Sequence, residues 1–122
     1  NIQMASRLES KGIDLMFNTP RSHNFHLVRQ GAGVAVANGM SYEAAISAIT
    51  STPAKVFNIE QRGEIKPGYF ADIVIWDADP LEPSSMPEYV FINGKNIDLT
   101  SRSLRLRDRY TSQPEKPNTY RD

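Results

Sequence analysis

RGEIKPGYFADIVIWDADP, Arg62 to Pro80, is the stretch from which the rest of the chain is read. Ile73, Val74 and Ile75 run into Trp76, and the run stops on Asp77, Asp79 and Pro80. β-Branched and aromatic residues fit a pleated, half-buried surface, and Asp and Pro end it in a turn. A strand this apolar needs a covering layer and carries no group for chemistry. Downstream, Tyr89–Ile92 reads as a second strand, and Asn93-Gly94 as the hairpin turn into a return strand at Lys95–Ile97. Upstream, Glu64–Ile65 reads as a shorter strand. The segment 59–100 is therefore expected to be all β.

The first half differs. Ile2, Ala5 and Leu8 stand at helical spacing over 2–11, and Gly12 follows where a C-terminal cap belongs. Ile13 to Asn18, IDLMFN, has the length of a buried strand. Thr19-Pro20 offers a capping hydroxyl and a preset first helical residue, so one helix is expected from there to about Asn38, ended by Gly39. Its apolar stripe is Phe25, Val28, Ala32 and Val36. Gly31 and Gly33 weaken it and make sense if it packs tightly against a neighbour. Ser41 caps the next helix, with Glu43 in its first turn, and Thr52-Pro53 repeats the cap-then-proline device. The segment 1–58 thus reads helix, strand, helices. The remainder, 101–122, turns basic: Leu104 and Leu106 suggest a first part that docks, and the chain from Pro114 reads as a loose tail.

The totals set bounds. The chain has 122 residues with 39% hydrophobic content, enough for one domain with a modest core. Fourteen basic and fourteen acidic side chains leave no net charge, so nothing global draws it to nucleic acid or to an acidic membrane surface. Without cysteine there is no disulfide or thiolate metal site, and the redox compartment stays open. No apolar run has membrane-spanning length. The first residues do not follow the basic–apolar–small leader pattern, so localisation is not fixed. The chain opens on Asn1 rather than Met, and its natural start is expected to have been trimmed or to lie upstream.

One mismatch is informative. Ile13–Phe17 is the only strand among the helices. An apolar strand followed by a helix is a βα unit, and a strand buried on both faces needs parallel neighbours. The chain supplies none. The first half therefore looks like the last unit of a larger α/β structure.

Pro53-Ala54, Gly63-Glu64-Ile65, Pro67-Gly68, Ala71-Asp72-Ile73-Val74, Trp76-Asp77 and Val90-Phe91-Ile92-Asn93-Gly94 occur in that order. Each is weak alone. In this order and spacing they resemble the C-terminal segment of the amidohydrolase superfamily, which includes imidazolonepropionase-like and prolidase-like metal-dependent hydrolases. VANGMSYEAAISAITSTPAKVFNI resembles the family's last barrel helices, and SRSLRLRDRY the tail of one bacterial branch. The resemblance covers nearly the whole chain. It implies an α/β plus β fold: the last βα unit of a (β/α)8 barrel, followed by the C-terminal part of a composite β-sandwich built from both chain ends. Ile13–Asn18 would be the eighth barrel strand, and Glu64–Ile97 the sandwich portion of an incomplete domain.

The resemblance also implies a chemistry. Family members hold metal with a His-x-His after the first strand, further His and often a carboxylated Lys, and an Asp after the eighth strand. The metal activates water against a C–N bond and the last Asp takes its proton. Here the eighth-strand position falls in FNTPRSHN, where the family reads Thr-Asp and this chain reads Thr19-Pro20-Arg21. Neither Pro20 nor Arg21 can be a carboxylate base, and no His-x-His occurs. The expected cofactor is none in this segment, and a divalent metal, zinc first, in a longer parent.

The remaining candidates are weighed residue by residue. His23 and His26 at three-residue spacing could share a helix face, but two polar residues of a first turn is the better reading. Ser22, His23 and Asn24 sit where a barrel's substrate loop would be, and are the substrate-pocket candidates, against an ordinary capping role. Asp72, Asp77 and Asp79 read as turn formers before they read as acid–base or calcium groups. Trp76 reads as sandwich core. Arg102, Arg105, Arg107 and Arg109 are interrupted by Asp108, with no interleaved aromatic before Tyr110, so a solvated or intersubunit helix outweighs nucleic-acid binding.

The leading expectation is the C-terminal portion of a metal-dependent amidohydrolase cleaving amide, peptide or cyclic-amide C–N bonds, inactive when isolated. Its partner would be the rest of the barrel or another copy, in a homo-oligomer, with neither nucleic acid nor membrane. The alternative is a stand-alone structural or interaction module that folds by oligomerising. A third reading, an anion-binding module at Thr19–Asn24, is weaker, because almost every helix start can hold an anion.

Overall fold

The computed structural model describes residues 3–19 and 22–111. Helix α1 spans Met4–Glu9 and an extended segment follows. A 3-10 turn, Ser22–Leu27, runs into helix α2, Val28–Ala37; helices α3, Tyr42–Ser47, and α4, Ser51–Val56, complete the helical half. Strands β1, Ile73–Trp76, β2, Pro87–Ile92, and β3, Lys95–Asn96, form an antiparallel sheet in that order, and helix α5 spans Arg102–Thr111. No helix among the described residues is long and apolar enough to cross a membrane.

The sheet follows the residues that predicted it. Ile73, Val74 and Ile75 pair with Phe91, Val90 and Tyr89. Asn93 and Gly94 turn the hairpin with φ of 51° and 75°, the signs a type I′ turn needs. Ser41 caps α3 as expected: its hydroxyl accepts the Ala44 N–H at 3.2 Å, satisfying one donor of the open first turn. Replacing Ser41 with Ala should cost about 1 kcal/mol in a urea titration, the usual worth of such a cap.

Five expectations need correction. Ile13–Asn18 is extended but pairs with no strand; its backbone bonds run from Ile13 to Leu8 and from Phe17 to Ala48. Glu64–Ile65 likewise forms no strand. Both carry strand composition, and a strand exists only where a second edge accepts its hydrogen bonds. The single helix expected up to Asn38 is a 3-10 turn joined to α2, with Asn24 outside helical geometry at φ −105° and ψ 21°. The cap of α4 is Thr50, so Pro53 occupies the third helical position, where its missing N–H is still no loss. In α5 no residue is buried, and Leu104 and Leu106, expected to dock, stay 38% and 39% exposed. The tail expected from Pro114 and the pair Pro20-Arg21 lie outside the described residues.

The core lies between α2, α3 and the loop after β1. It consists of Ala32, Ala35, Met40, Ala45, Ala48 and Leu81, with Leu15, Phe17 and Ile46 packed against it. Small side chains dominate because the helix backbones approach closely. A Cβ built on Gly33 would lie 2.6 Å from the Leu81 carbonyl oxygen, as tight packing of this helix requires. Gly33→Ala gains up to about 1 kcal/mol of helix propensity. The backbone clash outweighs that gain, and a net loss of about 1–2 kcal/mol is expected on denaturation.

This core is small for the chain. Among the described residues the largest fully buried side chain is a serine, while Ile65 is 84%, Phe25 70% and Phe57 67% exposed. An ordinary domain of this length buries several Leu, Ile and Phe side chains completely.

Candidate functional site

The substrate-pocket candidates follow the extended segment that ends at Thr19. Ser22, His23 and Asn24 open the 3-10 turn; His23 is exposed and Asn24 half-buried. His26, on the same turn, is exposed too. No group of three His, Cys, Asp or Glu among the described residues is placed to hold a metal ion. From Leu15 to Tyr42 the sequence has no carboxylate at all. The residues present here therefore do not fit the divalent metal that the resemblance implies.

The three sequence-neighbouring aspartates do not converge. Asp72 Oδ1 accepts the Asn93 N–H at 2.8 Å, and its carboxylate pairs with Arg62. Asp77 Oδ1 accepts the Met86 N–H at 2.8 Å. Asp79 Oδ1 accepts the Leu81 N–H and the Tyr42 hydroxyl, both at 2.9 Å. Each carboxylate is thus taken up by a backbone N–H of its own.

The most connected polar group is one that sequence reasoning passed over. From one side chain of α2, Arg29 donates to the carbonyls of Pro80 and Ser85 at 3.0 Å, and also to those of Glu82 and Pro83. Its Cζ lies 4.8 Å from the centre of the Trp76 ring. The planar fork of Arg suits several carbonyls at once, and its face suits an indole. Trp76 is accordingly half-buried beneath a cation rather than enclosed in apolar core. A signal was available: Arg29 is the only charge between Gln30's turn and Phe25, and no acidic partner stands within a helical turn. Such an Arg must find distant acceptors.

Tyr42 was also missed. Burial first, and then its bond to Asp79, raise its hydroxyl above the ordinary tyrosine value. The stability this gives is complete below the unfolded value near pH 10 and is lost as pH rises through the folded one. Glu9 behaves oppositely. The Ser41 hydroxyl, then the Ser41 N–H, hold its carboxylate below the usual range. That contribution is present above the unfolded value of about 4.3 and fades as pH falls through the lower folded one. The urea midpoints of the natural chain and Glu9→Gln should differ at pH 7 and converge as pH falls through the lowered folded value.

Arg29, Tyr42 and Trp76 help line a groove of about 610 Å³ between the helical half and β1. Ile46 and Ile49 line it from the helices, and Ile65 and Ile73 from the β half. It is largely apolar, and its lining holds no nucleophile–base pair and no ligand set.

The sequence model of the amidohydrolase family matches residues 17–97, from the end of the extended segment to just past β3. The chain belongs to the amidohydrolase family. It is 46% identical over 57 residues to amidohydrolase tasK of Hapsidospora irregularis, a match covering 46% of this chain and 6% of that protein. It is 35% identical over 74 residues to N-acyl-D-glutamate deacylase of Alcaligenes xylosoxydans xylosoxydans, covering 52% of this chain and 15% of the relative. Among solved structures it is similar to an amidohydrolase from Thermotoga maritima MSB8, with a TM-score of 0.70 and 25% identity over 80% of this chain and 26% of that one. This amidohydrolase chain therefore spans only a small part of the length of the relatives it matches, and they are hydrolases of differing names.

Proposed function

We propose that the chain is the C-terminal portion of a metal-dependent amidohydrolase that cleaves amide, peptide or cyclic-amide C–N bonds, and that the segment alone is inactive. The observation that carries this reading is the family match over residues 17–97 in a chain where no described group can hold a metal. In this reading Ile13–Asn18 is the eighth strand of a (β/α)8 barrel, unpaired here because its barrel neighbours belong to the rest of the polypeptide. β1 to β3 are the C-terminal share of a composite β-sandwich. The small core supports the reading, since side chains such as Ile65 and Phe57 then have a layer to meet. One relative is an N-acyl-D-glutamate deacylase, which supports an amide bond as the bond cleaved.

The divalent metal, zinc first, would be held by residues outside this chain, where it would activate water for attack on the amide. What this chain supplies is support. The 3-10 turn at Ser22–Asn24 would face substrate from the strand-end side of the barrel, and Arg29 would fix the barrel helix to the sandwich through the loop after β1. The partner would be the remainder of the barrel or another copy of the chain, in a homo-oligomer.

The test is a hydrolysis assay on N-acyl amino acids with added zinc, using chain 1–122 and the complete polypeptide side by side. Turnover is expected only from the complete polypeptide, and a chelator should abolish it. Turnover by chain 1–122 would overturn the proposed inactivity. A complete polypeptide without hydrolase activity would favour the structural module.

A further inference from the structure

The sequence holds two Asn-Gly pairs, Asn38-Gly39 and Asn93-Gly94; every other Asn precedes Ile, Thr or Phe. Asn before Gly is the reactive pairing, because no side chain shields the following amide nitrogen. That nitrogen can attack the Asn Cγ and close a five-membered imide. The new C–N bond forms as the Cγ–Nδ2 bond breaks, and ammonia leaves with the proton from the glycine nitrogen. Water then opens the imide at either carbonyl, giving aspartate or isoaspartate. The attack needs a free Asn side chain and a free glycine N–H, and the fold treats the two pairs differently. Asn38 is tied into the core. Its Nδ2 donates to the Val34 carbonyl at 2.7 Å, and the Gly39 N–H to that of Val36 at 3.0 Å. On either side, Ala35 and Met40 are core residues, and the Met40 N–H donates to the Ala35 carbonyl. Freeing Asn38 therefore means opening the end of α2 together with part of the core. Asn93 is exposed at the tip of the β2–β3 hairpin. β3 is two residues long, with Asn96 opposite Phe91 and Lys95 opposite Ile92. The turn is held from the chain just before β1: Arg62 donates to Asn93 Oδ1 at 3.2 Å, the Asn93 N–H to Asp72 Oδ1 at 2.8 Å, and the Gly94 N–H to the Ala71 carbonyl at 2.9 Å. An exposed hairpin tip with so short a ladder belongs to the low-stability end of a structure, and opens far more often than a helix end in the core.

We propose that Asn93 is a site of spontaneous deamidation, paced by opening of the hairpin and restrained by Arg62, and that the core spares Asn38. The product damages the turn that makes it. Isoaspartate adds one carbon to the main chain of a two-residue turn, whose length sets the register of β3 against β2. Aspartate places a second carboxylate beside Asp72, so that the Arg62 guanidinium faces two like charges.

The test is peptide mapping by mass spectrometry of the complete polypeptide stored near neutral pH, both native and in concentrated urea. A gain of one mass unit, with isoaspartate identified by fragmentation, should accumulate in the native protein at least about tenfold faster at Asn93 than at Asn38. In urea the two rates should come together, since no fold distinguishes them. Comparable native rates, a faster Asn38, or an Asn93 that stays intact while the urea sample reacts would overturn the proposal. So would a gap of the same size in urea, which would trace the ordering to the neighbouring residues. Arg62→Gln should speed the native Asn93 reaction roughly threefold to tenfold, the worth of one hydrogen bond, and leave Asn38 unchanged. An unchanged Asn93 rate in that variant would overturn the part assigned to Arg62. A variant that unfolds would speed Asn38 as well, and the ordering in the natural protein then decides by itself.

Discussion

Arg29→Ala should destabilise the fold by about 3 kcal/mol, the loss expected when a charged donor leaves several partly buried acceptors without a partner. The Arg29 side chain reaches the carbonyls of Pro80, Glu82, Pro83 and Ser85, residues 51 to 56 positions away along the chain. It is the tie between α2 and the loop that carries Leu81 into the core. Removing it frees the loop and uncovers the Trp76 ring. Arg29→Lys should recover less than half of the loss, because an ammonium is a compact donor without the planar fork. Trp76 is the chain's single tryptophan, so its near-ultraviolet dichroism reports the site directly. The core leaves little margin, and in chain 1–122 the Ala variant should lose that signal at 25 °C. An Ala variant that keeps the natural signal and urea midpoint would show that the tie carries no weight.

Gly63→Ala is the second large effect, also about 3 kcal/mol. Gly63 has φ +84°, where an L side chain costs roughly 1–2 kcal/mol. Its Cβ would also lie 2.7 Å from the Thr50 carbonyl oxygen and 2.9 Å from Ser51 Cα, and backbone atoms cannot swing aside. That overlap adds roughly 1–3 kcal/mol. Gly68 is the control: its φ is +85° but nothing lies within 4 Å of the added atom. Gly68→Ala should therefore show only the conformational part, and the gap between the two variants measures the contact of Gly63 with the start of α4. Equal urea midpoints for the two variants would refute that contact.

The legible parts of the fold were those specified by neighbouring residues. Ser41 announced its helix because a hydroxyl and three free N–H groups are adjacent in sequence. Asn93-Gly94 announced its hairpin because positive φ is a property of those residue types. Gly33 announced a close neighbour but not which one, since Leu81 arrives from far along the chain. The failures share one physical origin. Ile13–Asn18 and Glu64–Ile65 have the composition of strands, and composition records a partner without supplying it. Leu104 and Leu106 are similar: two apolar side chains in a basic segment suggest docking, and the described chain buries neither. Of the candidate site, Ser22, His23 and Asn24 were legible only as a position following a βα-type segment. Arg29 was missed because its acceptors are backbone carbonyls, and the sequence marks only its lack of a nearby acidic partner.

The central claim is that these residues form part of a larger unit whose remaining layers complete the core. Sedimentation equilibrium of purified chain 1–122, with a fluorescent apolar dye present, tests it most directly. The account predicts self-association or strong dye binding, because Phe25, Phe57 and Ile65 are exposed with no described residue covering them. A monodisperse monomer that binds no dye would mean that the chain covers its own apolar faces, and would contradict the claim.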